Sequence, residues 1–84
     1  MSERLVVSFT PTEGAVIRVL GLVERRGYSL RGLAMEERAD CASMTIDLEA
    51  RDASRRVEVV ARQLDRLVDV NSVSIVTARQ GSPA

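Results

Sequence analysis

The sequence predicts an α+β domain with the element order strand, helix, strand, strand, helix, strand. Three observations carry this. Apolar residues recur at helical spacing in two stretches, at Val16, Val19, Leu20 and Val23 and again at Val57, Val60, Ala61, Leu64, Leu67 and Val68. Apolar and polar residues alternate in four others, around 5–9, 28–35, 44–50 and 73–77. Proline, glycine and short polar runs fall between them.

In the first strand Leu5, Val7 and Phe9 alternate with Val6 and Ser8, which gives one buried face. It should stop at Thr10-Pro11, because Pro11 lacks an amide proton and pushes Thr10 toward extended geometry. Thr10-Pro11-Thr12-Glu13 reads as a capping box with proline at the first helical position; a cap at Thr12, with Gly14 in the first turn, is the alternative. In the first helix Ala15 and Leu22 flank the apolar stripe, and Arg18, Gly21 and Arg25 lie opposite.

Gly27 supplies the left-handed residue that commonly closes a helix, with Arg25 and Arg26 near the negative end of its dipole. Tyr28 follows at once and starts the second strand, where its ring can cover the helix end and keep the hydroxyl in water. Leu30 is followed by Leu33 and Met35, so the spacing shifts from even to odd positions, which predicts a bulge at Arg31-Gly32. "EERADCAS" (36–43) is a polar hairpin connector, and Met44, Ile46, Leu48 and Ala50 then alternate strictly with Thr45, Asp47 and Glu49. Asp52 or Ser54 can cap the second helix, whose stripe excludes Val59; that residue should face solvent or a partner. Val73, Ile75 and Thr77 mark the last strand, which sets a domain over 1–78 and a flexible tail over 79–84. Two right-handed crossovers, each skipping one strand position, give a four-stranded antiparallel sheet in the order 4-1-3-2 with both helices on one face, the ferredoxin-like βαββαβ fold.

That topology serves many functions, so composition must discriminate. Eighty-four residues suit one domain of limited buried fraction, which makes a partner surface physically reasonable. Twelve arginines balance twelve Asp and Glu with no Lys or His, so no net charge draws the chain to nucleic acid. An RNA-binding sheet needs stacking aromatics, and "ASMTIDLEAR" has none. A metal chaperone needs paired cysteines, whereas Cys41 stands alone and no metal site is expected. The single thiol, the lack of a signal-peptide core and the lack of an apolar run near about 20 residues point to a soluble cytoplasmic protein without membrane contact. No nucleophile and base are paired, and every carboxylate falls on an expected solvated face, so no catalytic residue is assigned. A binding module remains.

"GAVIRVLGLVERRGYSLRGLAM" (14–35) and "QLDRLVDVNSVSI" (63–75) resemble the paired signatures of the ACT domain in the small regulatory subunit of acetolactate synthase (acetohydroxyacid synthase). The resemblance spans about 4–77. The second run is the more specific, since helical periodicity explains Leu64, Leu67 and Val68 but not Gln63 or Asp69. The resemblance implies a non-catalytic subunit that binds and activates the large catalytic subunit in valine, leucine and isoleucine biosynthesis. Thiamine diphosphate, magnesium and FAD would belong to that partner, with no cofactor in this chain. Gln63, Asp69 and Val59 are then the expected partner-facing positions.

The same resemblance implies a homodimer paired side by side, with Tyr28, Leu30 and Arg31 at the seam along the second strand. A branched-chain amino acid would bind where Pro11, Thr12, Gly14 and Ala15 of one copy meet Ser29 and Leu30 of its neighbour. Gly14 near a helix N-terminus leaves amides open to a carboxylate, and an edge strand offers unpaired backbone groups. Valine-sensing members carry asparagines where this sequence has Pro11 and Ser29, which implies weak or no valine feedback. The end of the chain soon after the fourth strand resembles the short, valine-insensitive type. From a different class, a free-standing ACT homodimer that senses a small amino acid is the alternative.

Overall fold

In the computed structural model, which describes residues 2–52 and 54–77, the elements are β1 (Ser2–Phe9), α1 (Ala15–Arg25), β2 (Tyr28–Glu37), β3 (Ala42–Ala50), α2 (Val57–Leu64) and β4 (Val70–Thr77). The expected tail over 79–84 lies outside the described residues. The strands join antiparallel in the order β2-β3-β1-β4, the expected order read from the other edge.

Strand alternation sorts the side chains into two faces. Leu5 pairs with Ile46, Val7 with Met44 and Phe9 with Ala42, and all six are buried. The helices cover this face with Ala15, Val19, Leu22 and Val23 from α1 and Val57, Val60 and Leu64 from α2. Removing each large side chain from water contributes about 1.5–3 kcal/mol, so this layer holds the fold together. The other face is polar and crossed by two ion pairs, Arg4 with Asp47 at 2.6 Å and Arg31 with Glu49 at 2.8 Å. Such exposed pairs add little to stability.

The bulge lies where the spacing shift places it: the β2–β3 register slips between Leu30 and Gly32. Gly27 has a left-handed φ of 93°, and a Cβ there would stand 2.4 Å from Arg55 Nε, so a side chain at this position is strained by the backbone and must also displace Arg55.

Both helix starts differ from expectation. No side chain caps α1, which begins at Ala15 behind a left-handed Gly14, φ 81°. The loop turns first: Thr10 N–H donates to Asp69 O at 2.8 Å, Thr12 N–H to Thr10 O at 2.7 Å and Ala15 N–H to Thr12 O at 3.1 Å. Pro11 therefore sits in the loop and not at the first helical position. The start of α2 at Arg56 is also uncapped by a side chain, because Asp52 accepts from the amide of Ser54 at 2.9 Å and from its hydroxyl at 2.5 Å instead.

Val68 was expected on the α2 stripe and is 93% exposed. The helix ends at Leu64, and three-residue turns follow from Arg66 to Gln63, Leu67 to Leu64 and Val70 to Leu67, which break the helical spacing before Val68. Leu33 and Met35 keep their predicted alternation yet are about half exposed, since β2 is an outer strand and no helix covers its far half.

Candidate functional site

The loop between β1 and α1 is organised by a residue far away in sequence. Asp69, in the turn before β4, accepts from Nε of Arg18 at 3.1 Å and from its Nη2, and Thr12 donates to it as well. The Arg18 guanidinium, then the Thr12 hydroxyl, hold the Asp69 carboxyl below its ordinary value. The carboxylate stays ionised and its side chain is only 13% exposed, so it braces the loop. Arg18 also donates to Glu13 O at 3.3 Å and lies against Gly14, where a Cβ would meet its Nη1 at 3.0 Å.

Around this clamp Pro11 and Thr12 are exposed, Gly14 is half-buried and Ala15 is buried. Of the first-turn amides of α1, Ala15 N–H already donates to Thr12 O, while those of Val16 and Ile17 come before the first helical bond, from Arg18 to Gly14 O, and can meet an anion. Ser29 and Leu30 lie beyond the opposite end of α1, an 11-residue helix about 16 Å long. Within one chain the two halves of the expected ligand site therefore lie apart. Ser29 is half-buried and accepts a long bond, 3.4 Å, from Arg51 Nε, while Leu30 packs against the core.

Of the expected seam residues, Arg31 projects at the bulge with its Nε bonded to Glu49. Tyr28 does not fit the expectation of a wet hydroxyl: it is 2% exposed, and the hydroxyl is buried without a partner. Pairing with Ala50 turns its ring to the helix-covered face, so at an edge-to-edge seam it offers backbone groups alone. Burial, then the nearby Glu3 and Glu58 carboxylates, push its phenol up. On α2, Val59 is exposed as expected, and Gln63 one turn later is half-buried with its Oε1 unpartnered. Sequence reasoning missed Arg18, assigned only to a solvated face; its signal is an arginine four residues after Gly14 with an acidic residue in the second signature.

The described residues contain no group of three or more His, Cys, Asp or Glu that could hold a metal ion, and no helix long and apolar enough to cross a membrane. A family model for the ACT domain matches residues 11–73, most of the chain and all of the clamped loop after Thr10. The chain belongs to the ACT-domain family. This ACT domain is 35% identical over 79 residues to a probable acetolactate synthase small subunit from Archaeoglobus fulgidus, covering 92% of this chain and 48% of that protein. It is 30% identical over 75 residues to an acetolactate synthase small subunit from Buchnera aphidicola, covering 88% and 47%. The chain thus spans about half the length of the curated relatives it matches. Its fold also resembles the ACT domain of a GTP pyrophosphokinase from Chlorobium tepidum, with a TM-score of 0.75 at 8% identity over 90% of this chain and 97% of the other. At that identity the likeness speaks for the fold alone.

Proposed function

We propose that this ACT domain acts as a non-catalytic regulatory subunit, docking on the catalytic subunit of acetolactate synthase and raising acetolactate formation in branched-chain amino acid biosynthesis. The observation that carries this reading is the 35% identity, over nearly the whole chain, to a protein named as that enzyme's small subunit. In this reading the chemistry, with thiamine diphosphate, magnesium and FAD, belongs to the catalytic partner, and this chain supplies a folded surface. Exposed Val59 and half-buried Gln63, one turn apart on α2, are the side chains offered to that partner.

The active form is a homodimer joined along β2, an outer strand whose free edge can extend a sheet into a second copy. That pairing would unite the β1–α1 loop of one copy with Ser29 and Leu30 of the other. Valine acts weakly or not at all, because Pro11 offers no donor and Ser29 has short reach. Mixing the purified chain with the catalytic subunit and measuring acetolactate formation tests the proposal. A saturable rate increase is expected. An unchanged rate at saturating chain would sink it and leave a free-standing amino-acid sensor as the reading to pursue.

A further inference from the structure

At the end of the domain opposite the β1–α1 loop, the close of α1, the start of β2 and the start of α2 enclose a pocket of about 240 Å³, lined mainly by Arg26, Tyr28, Ser54, Arg55, Arg56 and Val59. Its size lies below the roughly 300 Å³ at which pockets for drug-sized molecules begin, so it suits a small ligand.

Three independent features set its chemistry. Arg26 and Arg56 have no carboxylate partner among the described residues, whereas Arg55 faces Asp52 at 3.5 Å and packs over Gly27. The eight-residue α2 starts here without a side-chain cap, so its first amides and the positive end of its dipole are open to an anion. Tyr28, 2% exposed, lines the same pocket, and its hydroxyl is buried beside it without a partner. A buried hydroxyl without an acceptor is costly, and an oxyanion would take its proton in a hydrogen bond.

We propose that this pocket binds the oxyanion of a small phosphate or phosphorylated ligand, held by the Arg26 and Arg56 guanidiniums, the α2 amides and the Tyr28 hydroxyl. Arginine forks match a phosphoryl group in geometry as well as charge. Of the carboxylates nearby, Asp52 accepts from Ser54, while Glu58, in the first turn of α2 and near Tyr28, competes with an anion for the same helix end. Glu3 is the competitor for the Tyr28 hydroxyl, since its Oε1 is also buried and unpartnered close to Tyr28 and could receive the phenol proton through a water.

Titrating the chain with inorganic phosphate at fixed ionic strength, followed by amide NMR, tests the site directly. Saturating shifts confined to Arg26, Tyr28 and 54–58 are expected. Arg56→Gln and Tyr28→Phe should each weaken binding about tenfold, the loss of one charge-assisted hydrogen bond. Arg66→Gln, outside the pocket, should leave binding unchanged, and Tyr28→Phe should not lower the melting temperature in phosphate-free buffer. Shifts that rise linearly with concentration, or that spread over Arg62 and Arg66, would overturn the proposal. So would Tyr28→Phe with unchanged phosphate affinity and a lower melting temperature, the signature of a hydroxyl that serves Glu3.

Discussion

Arg18 of α1 and Asp69 of the turn before β4 stand 51 residues apart in sequence and are joined through both Nε and Nη2 of the guanidinium. With the Thr12 hydroxyl on the same carboxylate and the Thr10 amide on the Asp69 carbonyl, one residue fastens the β1–α1 loop to the second half of the chain. The acidic position of the second signature therefore shapes the loop that the first signature enters.

This clamp has a pH dependence of definite sign. The folded-state pKa of Asp69 lies below its unfolded value, so the stabilisation is present above the usual aspartate pKa of about 3.9 and is lost as pH falls through the folded value. Asp69→Asn should lower the melting temperature at pH 7, and the gap to the unmodified chain should start to close below about pH 4. Thermal melts of both proteins across pH 2–8 check this. A gap that stays constant down to pH 2 would mean that the carboxylate charge contributes nothing.

Dimerisation along β2 separates from folding by the choice of residue. Leu30 packs against the core, and Leu30→Asp should cost several kcal/mol and unfold the chain. Leu33 is 48% exposed on the same strand, so Leu33→Asp should leave the melt of the isolated fold nearly unchanged while splitting the dimer. Sedimentation at micromolar concentration should give about twice the monomer mass for the unmodified chain and monomer for Leu33→Asp. A monomer in both cases removes the dimer.

Gly27 meets two separable penalties. An L-residue in its left-handed conformation loses about 1–2 kcal/mol, and the added Cβ must also displace Arg55. Gly27→Ala should destabilise by about 2 kcal/mol, a large share of a small domain's margin. Arg55→Ala in the same chain should restore the steric part and leave the conformational part. Denaturant melts of the two single variants and the double variant read the coupling.

The elements legible in the sequence are those whose cause is local. Alternation at Met44, Ile46 and Leu48, the phase slip after Leu30 and the glycine after Arg26 each act within a few residues, and each stands where periodicity puts it. What escaped depends on residues distant in sequence. Thr10 and Thr12 read as caps because no local rule shows that Asp69 will claim them, and Val68 continues a helical period that the chain abandons after Leu64. The Tyr28 hydroxyl escaped for the same reason: it is buried, and the carboxylates that act on it, Glu3 and Glu58, are distant in sequence.

Valine should bind weakly for a reason the loop geometry sharpens. The N-terminal amides of α1 can receive a carboxylate, but the ammonium group needs acceptors, and Pro11 contributes no side-chain acceptor. Thr12 gives its proton to Asp69 and Ser29 accepts a long bond from Arg51, so the site is left with short hydroxyl oxygens where an asparagine would extend a carbonyl toward the ammonium. Each unsatisfied buried group costs about 1–3 kcal/mol, so affinity should fall by one to two orders of magnitude for each missing contact. Calorimetric titration of valine into the chain should show no saturable heat at millimolar ligand. Pro11→Asn with Ser29→Asn should restore a measurable heat, and Asp69→Asn added to that pair should reduce it again, because the loop that presents the new asparagine loses its brace. Tight binding of valine by the unmodified chain would show that backbone groups around Leu30 suffice, and no gain from the paired asparagines in an intact dimer would show that the cleft between copies is closed.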